Sequence, residues 1–298
     1  MRRIRAIKER TARYVMLGLA IFALVLLLVI GISLLIKALP IIQEKGMFTL
    51  LTSADWRPFK NQFGFLPFIL STVYVSLIAI VIALPLSLLA SIYLNTYASV
   101  KVRKLFQPFI DVLSGIPSVI YGVWGTLAIV PLIANHIAPH FVEFSSGYSM
   151  LAGGIVLAVM ILPLLISILV EVFQSIPREM TEASLQLGAT KWQTVKQVLL
   201  RKSFPGVLAA VVLSVSRAFG ETIAVLMVCG NITQMPTGLF GACYPLPALI
   251  ANNYGEMMSV PTYESALMLA AFLLFIIVFV FNALSRFTLV QIERRYHL

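Results

Sequence analysis

Charge is scarce in this sequence. Only 11% of its 298 residues are Asp, Glu, Lys or Arg, against roughly 25% in water-soluble domains. With 60% hydrophobic residues and a mean hydropathy of +0.96, that scarcity excludes a soluble globular domain and fits an integral membrane protein. Cysteine is scarcer still. Cys229 and Cys243 are too few and too far apart for a zinc or disulfide framework. They read as two unrelated free thiols, with pairing open to them only if both face the outer compartment. His136 and His140 have a four-residue spacing but flank Pro139 without a third clear ligand, so no metal is assigned there. Also lacking are a nucleophile–base arrangement and a G-x-x-x-x-G-K-[ST] phosphate loop. The chain therefore reads as no enzyme. If ATP drives it, another polypeptide performs the hydrolysis.

What is present begins with long apolar runs. They cover residues 14–36, 65–94, 109–134, 148–170, 206–228 and 266–284. About 20 apolar residues cross a bilayer, so these predict six transmembrane helices. The first run is long for a signal peptide and reads as a retained anchor. Pro67 and Pro85 interrupt the second run. The third holds Ser114-Gly115-Ile116-Pro117-Ser118 and then Tyr121-Gly122, which predicts a broken or kinked helix.

The net charge of +10 does not point to nucleic acid, because the basic residues flank the apolar runs and no basic-aromatic groove pattern accompanies them. Counted by side, 17 Lys and Arg fall in the N-terminus, the second and fourth loops and the tail, and 4 in the other three loops. That asymmetry predicts both termini on the cytoplasmic side. Asp111 and Glu171 fall near cytoplasmic ends of spans and read as interfacial.

Residues 174–204 form a polar island on that same side. Two short amphipathic helices joined at Gly188 fit it. Glu179 and Glu182 favour the positive end of the first helix, and Gly188 can take the left-handed conformation that closes it. Thr190 and Gln193 have capping-box spacing for the second. Met180, Ala183 and Leu187 share one face, and Trp192, Val195 and Leu199 another. The pair can serve as a knob for a partner protein or lie as an ordinary hairpin on the membrane surface.

One Arg stands inside a span. Arg217 lies eleven residues past Gly206, roughly 17 Å along a helix, beyond easy snorkelling from either end. Glu221 follows at a spacing that places both on one helix face. A charge at that depth must face protein, water or substrate. One reading is a self-neutralising pair that fixes helix packing. The other is a path for an anion, in which the Arg fork offers N–H donors to oxyanion oxygens and Glu221 limits how tightly they bind. Gly220 then permits close backbone approach, and Ser214, Ser216 and Thr222 supply hydroxyls.

These residues carry a resemblance. Glu182-Ala183-Ser184, with Gly188 after three further residues, resembles the coupling loop of binding-protein-dependent ABC importer permeases; Ser184 replaces the motif's second alanine and Arg201 its usual proline, while Pro205 matches a second one. Ile116-Pro117-Ser118-Val119-Ile120-Tyr121-Gly122 and Arg217-Ala218-Phe219-Gly220-Glu221-Thr222 resemble the permeases of phosphate importers. Ile223-Ala224-Val225 through Gly230-Asn231, Asp55-Trp56-Arg57-Pro58 and Phe63-Gly64-Phe65-Leu66-Pro67-Phe68 are similar to the PstC type. The resemblance implies an all-α polytopic protein with the type I ABC importer permease fold in the inner membrane of a bacterium. It implies a PstA-type permease partner, a PstB-type ATPase dimer carrying ATP and Mg, and a PstS-type periplasmic phosphate-binding protein. Glu182, Ala183, Ser184 and Gly188 would then contact the ATPase. The division expected is residues 1–64 as N-terminus, first span and outer connection, 65–285 as permease core with coupling loop 174–204, and 286–298 as tail. Carriage of sulfate, phosphonate or molybdate, a standalone ion-coupled carrier, and a membrane scaffold or sensor stay open as alternatives.

Overall fold

The computed structural model describes residues 2–255 and 260–296. The side chains of residues 2–9 and 292–296 lie outside the described residues, among them those of Arg2, Arg3, Arg5, Lys8, Arg294 and Arg295 that enter the charge count. Among the described residues six helices are long and apolar enough to cross a membrane. In chain order they belong to α1 (Arg2–Lys45), α3 (Leu66–Ile92, continued by a π-turn through Tyr97), α5 (Ser118–His140), α6 (Met150–Gln174), α8 (Lys191–Gly220) and α11 (Pro261–Tyr296). Between them lie α2 (Met47–Thr52), α4 (Val100–Ser114), α7 (Arg178–Gln186), α9 (Ile223–Val228) and α10 (Leu246–Asn253). A two-residue hairpin pairs β1 (Trp56–Arg57) with β2 (Gln62–Phe63).

The centre of the bundle is α3 against α6. Lipid tails are as apolar as leucine, so helices associate in membranes through close packing, and small residues allow it. Gly154 is such a position: a Cβ there would stand 2.3 Å from Cγ2 of Ile78. Val75, Ala79 and Ala83 on α3 and Ala152, Val156 and Ile161 on α6 are buried together. Helix α1 lies outside this core beside α11, with Gly31 facing the Phe275 ring. Its apolar side chains from Tyr14 to Ile30 are mostly exposed, as a lipid-facing helix requires.

Three expectations are corrected. The first helix does not stop near residue 36 but continues to Lys45, because Pro40 is tolerated within it and Lys37 finds a partner, Glu264, at 2.9 Å. The run 109–134 is broken, as its Gly and Pro predict, but it is not the span. Helix α4 ends at Ser114, and α5 starts after Pro117, whose ring disfavours helical backbone at the residue before it. The span is Ser118–His140. Helix α4 is instead amphipathic, with Ser99 as its N-cap and Lys101, Arg103 and Lys104 in its first turns. Finally, the run 206–228 breaks at Glu221, with consequences for the site described below.

The last outer connection is well packed. The first four residues of α10 are buried, and its Leu246 N–H donates to Thr72 Oγ1 at 2.8 Å while Tyr244 N–H donates to Ser71 Oγ at 3.3 Å. Beside it the Trp56 ring meets Phe63, Phe65, Phe68 and Tyr263 edge-on, at centroid distances of 4.9–6.0 Å. The residues 55–68 singled out in the sequence thus close one end of the bundle with an aromatic cluster.

Candidate functional site

The polar island folds largely as its spacing predicts. Gly188 has φ of 86°, a left-handed conformation that costs a non-glycine residue about 1–2 kcal/mol, and it closes α7. Thr190 and Gln193 form the capping box: Gln193 N–H donates to Thr190 Oγ1 at 3.2 Å and Thr190 N–H to Gln193 Oε1 at 2.8 Å. The expected second short helix is a correction, because it does not end before the next span. It runs from Lys191 to Gly220 without interruption, through a π-turn at Val195–Leu199. Pro205 lies inside this helix, where its missing N–H leaves the Arg201 carbonyl without its helical donor.

Ser184 joins the two halves of the island through a 3.0 Å hydroxyl–hydroxyl bond to the buried Thr194. Val195 and Leu199 are buried, whereas Met180, Leu187 and Trp192 are exposed, Leu187 at 90%. Glu182 and Ala183 are exposed as well. Lys191 stands over the Tyr97 ring at 5.9 Å, and a cavity of about 480 Å³ beneath α7 is lined by Arg103, Arg178, Glu182, Lys191 and Thr194 among others. Arg103 is fixed there, donating to the carbonyls of Leu94 and Asn95 at 3.0 and 2.7 Å.

At the far end of α8 sits Arg217, in the helix's last turn and exposed. Among the described residues it has no hydrogen-bond or ion-pair partner. Tyr121 of α5 lies within electrostatic reach of it. Glu221 is not on the same helix face. Its backbone is extended, and its Oε1 accepts from Ala224 N–H at 3.2 Å, capping α9. Gly220 is exposed, and a Cβ there would meet nothing. Thr222 Oγ1 donates to Gly220 O at 3.2 Å.

The structure thus brings Arg217, Gly220, Glu221 and Thr222 to one helix break and sets Ser214 apart. Ser214 is fully buried, its hydroxyl without a hydrogen-bond partner among the described residues. Ser216 donates to Asn282 of α11 at 2.9 Å. Sequence reasoning missed Asn282, and also Thr72 and Ser76, which line a narrow crevice with Glu221. The available signal was hydroxyls and an amide recurring inside apolar runs.

Comparison with known proteins places the chain in a family. The family described as binding-protein-dependent transport system inner membrane component matches residues 83–297. The chain belongs to that family. It is 36% identical over 290 residues to the probable ABC transporter permease protein YqgH of Bacillus subtilis, covering 96% of this chain and 92% of that one. It is 33% identical over 288 residues to the phosphate transport system permease protein PstC of Xylella fastidiosa strain Temecula1 (92% and 88% covered). With the PstC of Haemophilus influenzae it shares 34% over 301 residues (96% and 93%). Among solved structures, a bacterial alginate ABC transporter in complex with its pentasaccharide-bound periplasmic protein gives a TM-score of 0.56. Identity there is 14%, over 93% of this chain and 94% of that chain. An amino acid ABC transporter gives 0.51 at 19% identity, over 78% and 93%. These neighbours show the type I ABC importer permease fold. As a permease the chain is a non-catalytic membrane component of its transporter.

Proposed function

We propose that this chain is the PstC-type membrane-spanning subunit of an ATP-driven importer of inorganic phosphate. The observation that carries the reading is Arg217, a guanidinium on an exposed face of a membrane-spanning helix with no hydrogen-bond or ion-pair partner among the described residues. Lipid cannot cover it, since a charge near the bilayer centre costs several kcal/mol. A second polypeptide and an aqueous path for an anion satisfy it. The guanidinium fork matches a phosphoryl oxygen pair in geometry and charge, and several relatives carry phosphate transport in their names.

In this reading a PstA-type permease covers the Arg217 face. Gly220 and Thr222 offer backbone and hydroxyl beside the anion, Glu221 sets a negative limit on its residence, and Ser214 joins the path only in a conformation that uncovers it. Both termini and residues 174–204 face the cytoplasm. There Glu182, Ala183, Ser184 and Gly188, with exposed Leu187 and Trp192 around them, dock a PstB-type ATPase dimer that binds ATP and Mg. A PstS-type binding protein delivers phosphate at the opposite side. Residues 1–64 serve as an anchor, 65–285 as the permease core and 286–298 as a cytoplasmic tail.

Anion competition tests the substrate. Uptake of labelled phosphate by cells dependent on this transporter is expected to be suppressed by unlabelled phosphate and untouched by sulfate, phosphonate or molybdate. Suppression by one of those anions, with phosphate itself inert, would move the assignment to that oxyanion.

A further inference from the structure

Two cysteines in 298 residues meet at one point of the fold. Cys243 N–H donates to Cys229 O at 2.8 Å, Asn231 N–H donates to Cys243 O at 3.1 Å, and Gly230 bridges Cys243 as in a parallel sheet. Both side chains are fully buried. Both are free thiols in this structure, and the neighbouring Cys243 thiol and burial push the Cys229 thiol well up. Backbone atoms in direct hydrogen bond keep the two Cα atoms within the roughly 4.4–6.8 Å that a disulfide spans. Gly153 of α6 makes the room: a Cβ there would lie 2.4 Å from the Cys229 sulfur.

The loop that these cysteines delimit has a structural task. Its Gly241 and Leu239 carbonyls accept from the N–H groups of Met150 and Leu151, each at 2.9 Å. Phe240 O accepts from Ser145 Oγ at 3.2 Å. Residues 230–242 therefore cap the first turn of α6, the central helix of the bundle, and a clip at 229 and 243 would fix that cap in place. Among the described residues no third His, Cys, Asp or Glu joins the pair to make a metal site.

We propose that Cys229 and Cys243 are joined by a disulfide in the assembled protein, formed on the outer side of the membrane. The inference rests on the orientation given under Proposed function. The oxidant is the disulfide of an outer-compartment thiol oxidoreductase. One cysteine, as thiolate, attacks that disulfide and forms a mixed disulfide; the second displaces the carrier's cysteine. Two thiols lose two protons and two electrons, and the carrier leaves as a dithiol. The exchange takes place during membrane insertion, before burial closes over the pair. A buried thiol is slow to ionise and exchange, so the bond is then protected from reductant in the folded state.

The test is thiol counting on the full transporter in native membranes. Membranes are acid-quenched, denatured in detergent and treated with a polyethylene-glycol maleimide, with and without prior reduction. Wild type is expected to take no adducts unreduced and two after reduction, and Cys229→Ser or Cys243→Ser one adduct in either condition. Two adducts on unreduced wild type overturn the proposal. Orientation is read separately, from Met235→Cys in a Cys229→Ser/Cys243→Ser background labelled on intact cells by an impermeant maleimide. Outside labelling together with two unreduced thiols defeats the disulfide alone. Labelling only after lysis defeats the orientation, and the disulfide with it.

Discussion

Arg217 and Glu221, four residues apart, do not pair, because the helix between them ends. Arg217 closes α8 at an exposed position, while Glu221 turns into extended backbone and accepts the Ala224 amide at 3.2 Å. On an unbroken helix the two would face each other and neutralise. The break after Gly220 gives the carboxylate a different task, holding the start of α9, and leaves the guanidinium without an ion-pair partner among the described residues.

Replacing Arg217 with Ala is expected to abolish phosphate uptake while the transporter still assembles, since among the described residues the side chain makes no hydrogen bond or ion pair. Arg217→Lys keeps the charge but loses the bidentate fork and should retain a fraction of the rate. Labelled-phosphate uptake and co-purification of the partner subunits measure the two effects separately. Normal uptake by the Ala variant would remove Arg217 from the path.

Glu221 has two separable roles. Glu221→Gln keeps an oxygen for the Ala224 amide and removes the charge, so the fold should hold while phosphate binds tighter and leaves more slowly. Half-saturating phosphate and maximal rate should both fall. Glu221→Ala removes the cap as well, at about 1 kcal/mol, and should lower thermal stability where the Gln variant does not. A Gln variant with a raised half-saturating concentration contradicts the proposed limit on residence.

Much of this was legible in the residues. Six spans follow from runs of apolar side chains, and the hairpin at Gly188 from one glycine and a Thr-x-x-Gln cap. The break at Glu221 was not, because no proline marks it, and Arg217 and Glu221 at that spacing look like a helix-stabilising pair. It is fixed by tertiary packing: α9 is held against α5, where Gly122 sits 3.2 Å from Ala224 Cα by the position its Cβ would take. The cysteine pair was hidden for a similar reason. Thirteen residues separate the two in sequence, and only the return of the loop onto α6 brings them together.

Gly122 is open to direct test. A side chain there would start 2.6 Å from the Met227 sulfur and 3.2 Å from backbone, so Gly122→Leu should force α5 and α9 apart. Overpacking of this kind costs about 1–3 kcal/mol. Reduced thermal stability and weakened transport should appear together. An unchanged melting temperature would show that the contact yields without cost.

Gly188→Leu acts on coupling. Its Cβ meets nothing, so the variant should fold. The left-handed backbone there carries about 1–2 kcal/mol of strain for leucine, enough to shift α7 relative to α8. ATP hydrolysis by the assembled transporter should continue or detach from phosphate movement, with uptake per ATP falling several-fold. An unaltered ratio would argue against a docking role for this turn.

The most direct test is ATP-dependent phosphate uptake by proteoliposomes that hold this chain with its permease partner, ATPase subunits and binding protein. Uptake is expected only when ATP and binding protein are both supplied, and is expected to vanish when Arg217 is replaced by Ala. Phosphate entry that persists in the Arg217→Ala vesicles, or that this chain supports alone under an ion gradient, would contradict the account.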